Sequence, residues 1–193
     1  SILISKEEDV NILVVSLGAL LHDIADAKFN DGDESLGPNM AENFLLSINV
    51  PTETINHVVK IIKLSSFKAG LSDGKIKKQL FRSKELQVVQ DADRLDAIGA
   101  IGIARAFNYG GFKNRLLYDP NTPPNLQMTK EEYKKSTAPT INHFYEKLLL
   151  LKEKMNTETG KRLAKERHQF MIEYLEQFYK EWDPLTFKKM YNP

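Results

Sequence analysis

Two short stretches of this sequence concentrate ionisable side chains where an apolar helix is expected. The first is Leu20-Leu21-His22-Asp23-Ile24-Ala25-Asp26. On a helix His22 and Asp26 lie one turn apart, and Asp23 and Asp26 share a side. Three ionisable groups thus emerge at the end of a strongly apolar segment, and burying each without a partner costs on the order of a few kcal/mol. A divalent cation would relieve that cost, because imidazole nitrogen and carboxylate oxygen suit Mn, Fe, Ni, Zn or Mg. The plain alternative is a helix that simply ends here, with a core histidine and two solvated aspartates.

The second stretch is Val88-Val89-Gln90-Asp91-Ala92-Asp93-Arg94-Leu95-Asp96-Ala97. Projected on a helix, Leu86, Val89, Asp93, Asp96, Ala97 and Ala100 share one face, while Asp91 points nearly the opposite way. Carboxylates among apolar and small residues need something positive against them. That could be a metal, or an ion pair to Arg94, Arg105 or a lysine from another helix. A His-Asp-x-x-Asp and an Asp-x-Asp-x-x-Asp on two separate apolar helices are harder to explain as coincidence than either one alone.

The elements that must carry these residues read as helices throughout. Apolar residues from Val10 to Ile24 fall on nearly every side of a helix, which predicts a buried central helix. Turn chemistry at Asn30-Asp31-Gly32-Asp33 ends it, and a short helix is expected from near Pro38 to about Ile48. Pro51-Thr52 opens the next, with Ile55, Val58, Val59 and Ile62 at helical spacing. Residues 68–78, rich in lysine and glycine, read as a surface loop. A long helix from about Lys84 to Asn108 follows, its Gly99 and Gly102 admitting a close neighbour. Residues 109–138 read as a long loop. Helices over about Thr140 to Met155 and Glu158 to Trp182 close the chain. The fold class is all-α, in a single domain spanning residues 1–193.

Composition narrows the function. The 193 residues carry 27 basic and 26 acidic side chains, so bulk charge gives no reason to expect nucleic-acid or membrane partners. The absence of cysteine excludes disulfides, thiolate metal sites and a cysteine nucleophile. The apolar run before His22 lacks the flanks of a signal peptide and is too short to span a bilayer, so the expected location is cytoplasmic. His57, among Ile55, Val58 and Val59, reads as a core residue or one supporting the site. His143 and His168 read as structural. The run Lys161, Arg162, Lys165 and Arg167 reads as a solvated helix face.

The ordered pair of motifs resembles the HD-domain metal-dependent phosphohydrolases, and in particular their bacterial YedJ/YpgQ-like branch. The resemblance rests on LLHDIADAKF, LSSFKAG, VVQDADRLDAIGAIGIARAFNYGG, YDP and TINHFYEKLLLLKEKMNTETGKRLAKERHQFM, which together cover most of residues 17 to 180. It implies a helical bundle around one divalent ion, manganese ahead of magnesium, nickel, iron or zinc. It implies His22 and Asp23 as ligands, with Asp93, the aspartate directly before the Arg-Leu pair, rather than Asp91.

The family has a further histidine upstream of the pair, and residues 1–21 contain none. The expectation is that it lies on a helix in a segment preceding Ser1; a degenerate site is the alternative. The reaction implied is attack on phosphorus by a metal-activated water in a small nucleotide, for instance a (deoxy)nucleoside triphosphate cleaved to monophosphate and pyrophosphate. Asp26 and Asp96 are then the candidate catalytic carboxylates. Lys68, Arg94 and Arg115 are the candidate phosphate-binding cations. A non-catalytic nucleotide- or metal-binding regulatory module is the competing function. An oxygenase with two irons ranks last, since only His57 is placed to supply another ligand.

Overall fold

A computed structural model describes residues 1–25, 30, 33–65 and 81–183. The described residues contain helices and no strand, in agreement with the expected all-α class. They form two compact units, 1–93 with 156–160, and 94–155 with the residues from 161 onward.

The first unit holds α1 (Ile2–Ser5), α2 (Ile12–Leu21), α3 (Leu36–Ser47), α4 (Thr52–Ser65) and most of α5 (Lys84–Asp96). Asn11 starts α2: its side chain accepts from the Leu13 and Val14 amides at 3.0 and 3.2 Å, filling donors that a helix start leaves open. The Asn11 amide donates to the Glu85 carboxylate at 3.1 Å, tying the start of α2 to that of α5. A Cβ on Gly18 would stand 3.2 Å from Ile61 and 3.4 Å from Val89, so this glycine permits the close approach of α2 to α4 and α5. Between α3 and α4 the chain turns through Asn49, which adopts φ 58°, and the Val50 amide closes the turn on the Leu45 carbonyl at 3.1 Å. The core comprises Val14, Val15, Leu45, Ile55, Val58, Ile61, Val88 and Val89, all nearly inaccessible.

Helix α2 is shorter than its apolar run and is not buried all round. Val14 and Val15 are buried, whereas Ile12, Leu13 and Leu20 are exposed, Leu20 by 79%. The ten residues lean on α1 and α4 along one stripe, so the uniform hydrophobicity overstated their burial.

The second unit holds α6 (Gly99–Phe112), α7 (Lys130–Lys135), α8 (Thr140–Glu146), a 3-10 helix (Leu148–Lys154) and most of α9 (Glu158–Trp182). The single long helix expected from Lys84 to Asn108 is two. Ile98 is extended and Gly99 takes φ 77°, a conformation that favours glycine. A Cβ there would also press on the Arg167 stem at 3.0 Å. The Arg167 guanidinium donates to the Leu95 carbonyl at the break. Gly102 likewise serves the break, because a side chain would strike the Ala97 carbonyl.

Helix α7 occupies part of the expected long loop. Its start is a capping box: the Glu132 amide donates to Thr129 Oγ1 at 3.2 Å and the Thr129 amide to the Glu132 carboxylate at 2.7 Å. The helix expected over Thr140 to Met155 changes character at Lys147, after which Leu148 and Leu151 are buried three apart, the repeat of a 3-10 helix. Phe107, Phe144, Tyr174 and Phe178 form an aromatic cluster with ring centres 5.8–6.4 Å apart.

Candidate metal centre

The apolar run of α2 delivers His22 to the helix's C-terminal end, where the chain leaves regular helix. There Nδ1 lies 2.8 Å from the Ala19 carbonyl oxygen. A carbonyl only accepts, so Nδ1 carries the proton in this bond and the ring orientation is fixed. Nε2 then faces carboxylates, Asp23 Oδ2 at 3.3 Å and Asp93 Oδ1 at 3.8 Å. Asp93 comes from α5 and is 71 positions away along the chain (93 − 22). The side chain of His22 is 24% exposed, against 73% for Asp23 and 57% for Asp93.

With Nδ1 committed to Ala19, a neutral ring would aim its Nε2 lone pair at negative oxygens. A cation between them resolves the conflict, and a proton is the simplest one. The Asp93 carboxylate, opposed by partial burial and reinforced by the Ala19 carbonyl and Asp23, raises His22 from 6.5 to about 9. A divalent ion would meet the same need with nitrogen and oxygen donors of suitable type. The Ala19 carbonyl supplies the support that orients a histidine ligand. In donor chemistry and ring orientation the three residues fit a metal. Among the described residues, however, no group of three or more histidine and acidic side chains is gathered tightly enough to hold an ion.

The other sequence candidates are placed as follows. Asp26 and Lys68 lie outside the described residues. Asp96 belongs to the second unit and pairs with the Arg105 guanidinium, both side chains being more than half exposed. This is one of the ion pairs considered from the sequence. Arg94 Nη1 donates to the Lys154 carbonyl at 2.6 Å, and Arg115 Nη2 donates to the Ser136 carbonyl at 2.6 Å.

His57 meets Ser83 Oγ at 2.9 Å and Glu85 at 3.5 Å, with Phe81 edge-on at 5.2 Å. His143 Nδ1 and the Tyr133 hydroxyl are hydrogen-bonded at 2.6 Å. Burial pushes this imidazole down to about 4 and the phenol up to about 12. Burial also lowers His168.

The helical projection proves misleading for α5. It grouped Asp93 with Leu86 and Val89, which are buried while Asp93 is exposed. Asp91 is the wholly buried carboxylate, and its environment went unread in the sequence. It accepts from the Asn156 amide at 2.9 Å, the Asn156 side chain at 2.9 Å, the Thr157 amide at 2.7 Å and the Thr157 hydroxyl at 2.9 Å. Thr157 Oγ1 in turn accepts from the Gly160 amide at 2.9 Å, so Asp91 anchors the capped start of α9. A side chain on Gly160 would collide with that carboxylate. The signal available in advance was the Thr-x-x-Gly at a helix start, inside the MNTETG segment.

Known proteins resemble this chain in sequence and fold. The model of the HD domain family matches residues 2–98, a span that includes His22, Asp23 and Asp93. The protein YpgQ of Bacillus subtilis is 38% identical over 178 residues, covering 92% of this chain and 77% of YpgQ. Among solved structures, an HD-superfamily hydrolase from Bacillus thuringiensis is 42% identical with a TM-score of 0.71, covering 94% of this chain and 79% of its own. Bacillus subtilis YpgQ in complex with ADP is 36% identical with a TM-score of 0.67, covering 92% and 81%. The chain belongs to the HD-domain family, in the YpgQ-like branch alongside HD-superfamily hydrolases.

Proposed function

We propose that this chain is a cytoplasmic, divalent-metal-dependent phosphohydrolase acting on small nucleotides, with His22, Asp23 and Asp93 as metal ligands. The observation that carries the proposal is the ring of His22, with Nδ1 committed to the Ala19 carbonyl and Nε2 facing the carboxylates of Asp23 and Asp93. When bound, a divalent ion supplies Lewis acidity at a phosphoryl oxygen and lowers the pKa of water toward neutrality.

The residues of the chain prepare for that chemistry. The Ala19 carbonyl selects the tautomer that leaves Nε2 available. Asp23 and Asp93 supply negative charge from two separate helix ends or faces, so the cluster forms only when α2 and α5 are both folded. In this reading Asp26 orients or deprotonates the attacking water, and Asp96 holds a substrate hydroxyl or a water. Lys68, Arg94 and Arg115 are proposed to meet phosphate, and each is open to test by single substitution. Nucleotides are favoured because a relative of 36% identity is known in complex with ADP. Cleavage of a nucleoside or deoxynucleoside triphosphate to monophosphate and pyrophosphate is the specific reaction proposed.

The test is turnover of a nucleotide panel by protein stripped with chelator and reloaded separately with Mn, Mg, Ni, Fe and Zn. Release of phosphate or pyrophosphate restored by metal, manganese giving the highest rate, is the expected result. Asp93→Ala is expected to lose at least about 100-fold in turnover, by analogy with the loss of a directly acting group. Turnover that survives both chelation and this substitution would overturn the proposal. Tight metal and nucleotide binding without turnover under any metal would point instead to the regulatory module.

A further inference from the structure

Helices α2 and α5 carry His22 and Asp93 to one another, yet the packing between them does not fix how far each extends past the other. Where they touch, α2 presents Gly18, at which a Cβ would stand 3.4 Å from Val89. A glycine has no side chain to lodge in a groove of the facing helix, so this contact sets distance without setting axial register. A slip of one turn, about 5.4 Å, would carry Asp93 out of reach of the imidazole.

The described residues contain a tie at the other end of both helices. Glu85, in the first turn of α5, accepts from the Asn11 amide at 3.1 Å. Asn11 is the residue whose side chain caps α2. Asn11 stands 11 positions before His22 (22 − 11), and Glu85 stands 8 positions before Asp93 (93 − 85). Those spans are about 17 and about 12 Å of helix, differing by less than one turn, so a bond that joins the starts also decides where the ends meet.

Glu85 is itself held. Its side chain is 14% exposed, and its second oxygen lies 3.5 Å from His57 Nε2 on α4. The same nitrogen meets Ser83 Oγ at 2.9 Å, and Ser83 Oγ accepts from the Leu86 amide at 3.1 Å at the start of α5. One carboxylate oxygen thus faces α4 while the other holds the start of α2. All of these residues belong to the first unit.

We propose that Glu85 is a positioning residue for the metal centre: its bond to the Asn11 amide sets the register of α2 against α5 and so brings Asp93 opposite His22. The functional meaning rests on the ligand roles proposed above, but the register itself can be observed without metal.

Two measurements on the full chain keep those two questions apart. In the metal-free protein, the nuclear Overhauser effect between the His22 ring and the Asp93 β protons reports the register. Binding of manganese ion alone, followed by loss of the free ion's electron paramagnetic resonance signal, reports the centre. Glu85→Gln retains an oxygen for the Asn11 amide, so it should keep the Overhauser effect and bind manganese within about twofold of the parent. Glu85→Leu has no acceptor; it should lose the effect and bind manganese about tenfold more weakly, as when an outer partner of a metal ligand is removed. Glu85→Asp keeps the charge but withdraws the carboxylate by one methylene; it should fall between the two, and it takes the place of Glu85→Leu should that variant not fold. Lys84→Ala cuts the exposed pair with Asp9 at the same end of α5 and should change neither readout.

The proposal is overturned if folded Glu85→Leu keeps both the Overhauser effect and the parent's manganese affinity, even with lowered stability, since Glu85 would then be a structural clasp only. It is equally overturned if Glu85→Gln loses as much as Glu85→Leu, which would make charge rather than the amide bond the determinant. A parent that binds no manganese defeats the ligand reading; loss of the Overhauser effect in Glu85→Leu and its survival in Glu85→Gln would still establish the register role.

Discussion

Asp91 and Asp93 stand two residues apart on one helix and meet opposite fates. Asp91 is wholly buried, and backbone amides, a side-chain amide and a hydroxyl from residues 156 and 157 converge on its carboxylate. Asp93 is 57% exposed and faces the imidazole of His22. The first carboxylate is satisfied by donors that hold it in place, which leaves little capacity for a ligand. The second faces the Nε2 of His22, which also lies near Asp23, and this is the arrangement on which the proposed metal-ligand role rests. Burial and the identity of the partners separate the two: Asp91 is enclosed by hydrogen-bond donors, whereas Asp93 is exposed and meets an imidazole.

Substitution should separate the two residues, and the largest effect is expected at Asp91. Asp91→Ala removes a buried charge and orphans the amides at the start of α9, which should cost about 4 kcal/mol of stability in urea unfolding. A variant as stable as the parent would erase the contrast, since Asp91 would then be a spectator.

A smaller effect is expected from pH. His22 has its folded value raised above the ordinary 6.5, to about 9, chiefly by Asp93. Its contribution in the metal-free protein is therefore complete below about pH 6.5 and is lost as pH rises through about 9. Because Asp93 is more than a third exposed, solvent screening holds that contribution to about 1 kcal/mol. Unfolding measured from pH 6 to pH 10 should show the decline in the parent and a flattened profile in Asp93→Ala. An undiminished slope in the variant would mean that another group governs the imidazole.

The smallest effect belongs to Asp96, the third acid of the motif. Its pairing with Arg105 is solvent-exposed on both sides, so Arg105→Ala should change stability by less than about 0.5 kcal/mol. A loss as large as that at Asp91 would place Asp96 with the structural carboxylates.

Local features were legible where local physics decided them. Helix α4 begins at Thr52 directly after Pro51, and α9 runs Glu158–Trp182 as its apolar spacing indicates. The break at Ile98-Gly99 was not legible. The glycine suggested close packing, yet its positive φ and the guanidinium of Arg167 at the Leu95 carbonyl are tertiary facts. Helix α7 was missed although its Thr-x-x-Glu box is written in the sequence, because six residues carry too little periodicity to stand out. At the candidate centre the His22-Asp23 pair was visible as charge inside an apolar run. The choice of Asp93 over Asp91 came from the family resemblance. The physical basis of that difference lies 65 positions downstream at Asn156, beyond the reach of any local pattern.

The anchoring of α9 also bears on the order in which the protein can assemble during synthesis. Glu7 and Glu8 accept from Thr159, and Asp91 from Asn156 and Thr157. These contacts bridge up to 152 positions, so they can form only after the chain has been translated past residue 160 and has cleared the ribosome. Until then α5 emerges with its Asp91 carboxylate facing water, and the first unit lacks its closing segment. Contacts of such separation make folding slow relative to helix formation. The N-terminal unit therefore waits on the C-terminal third of the chain, and a nascent chain stalled shortly before Asn156 should be far more sensitive to protease than one stalled well beyond it.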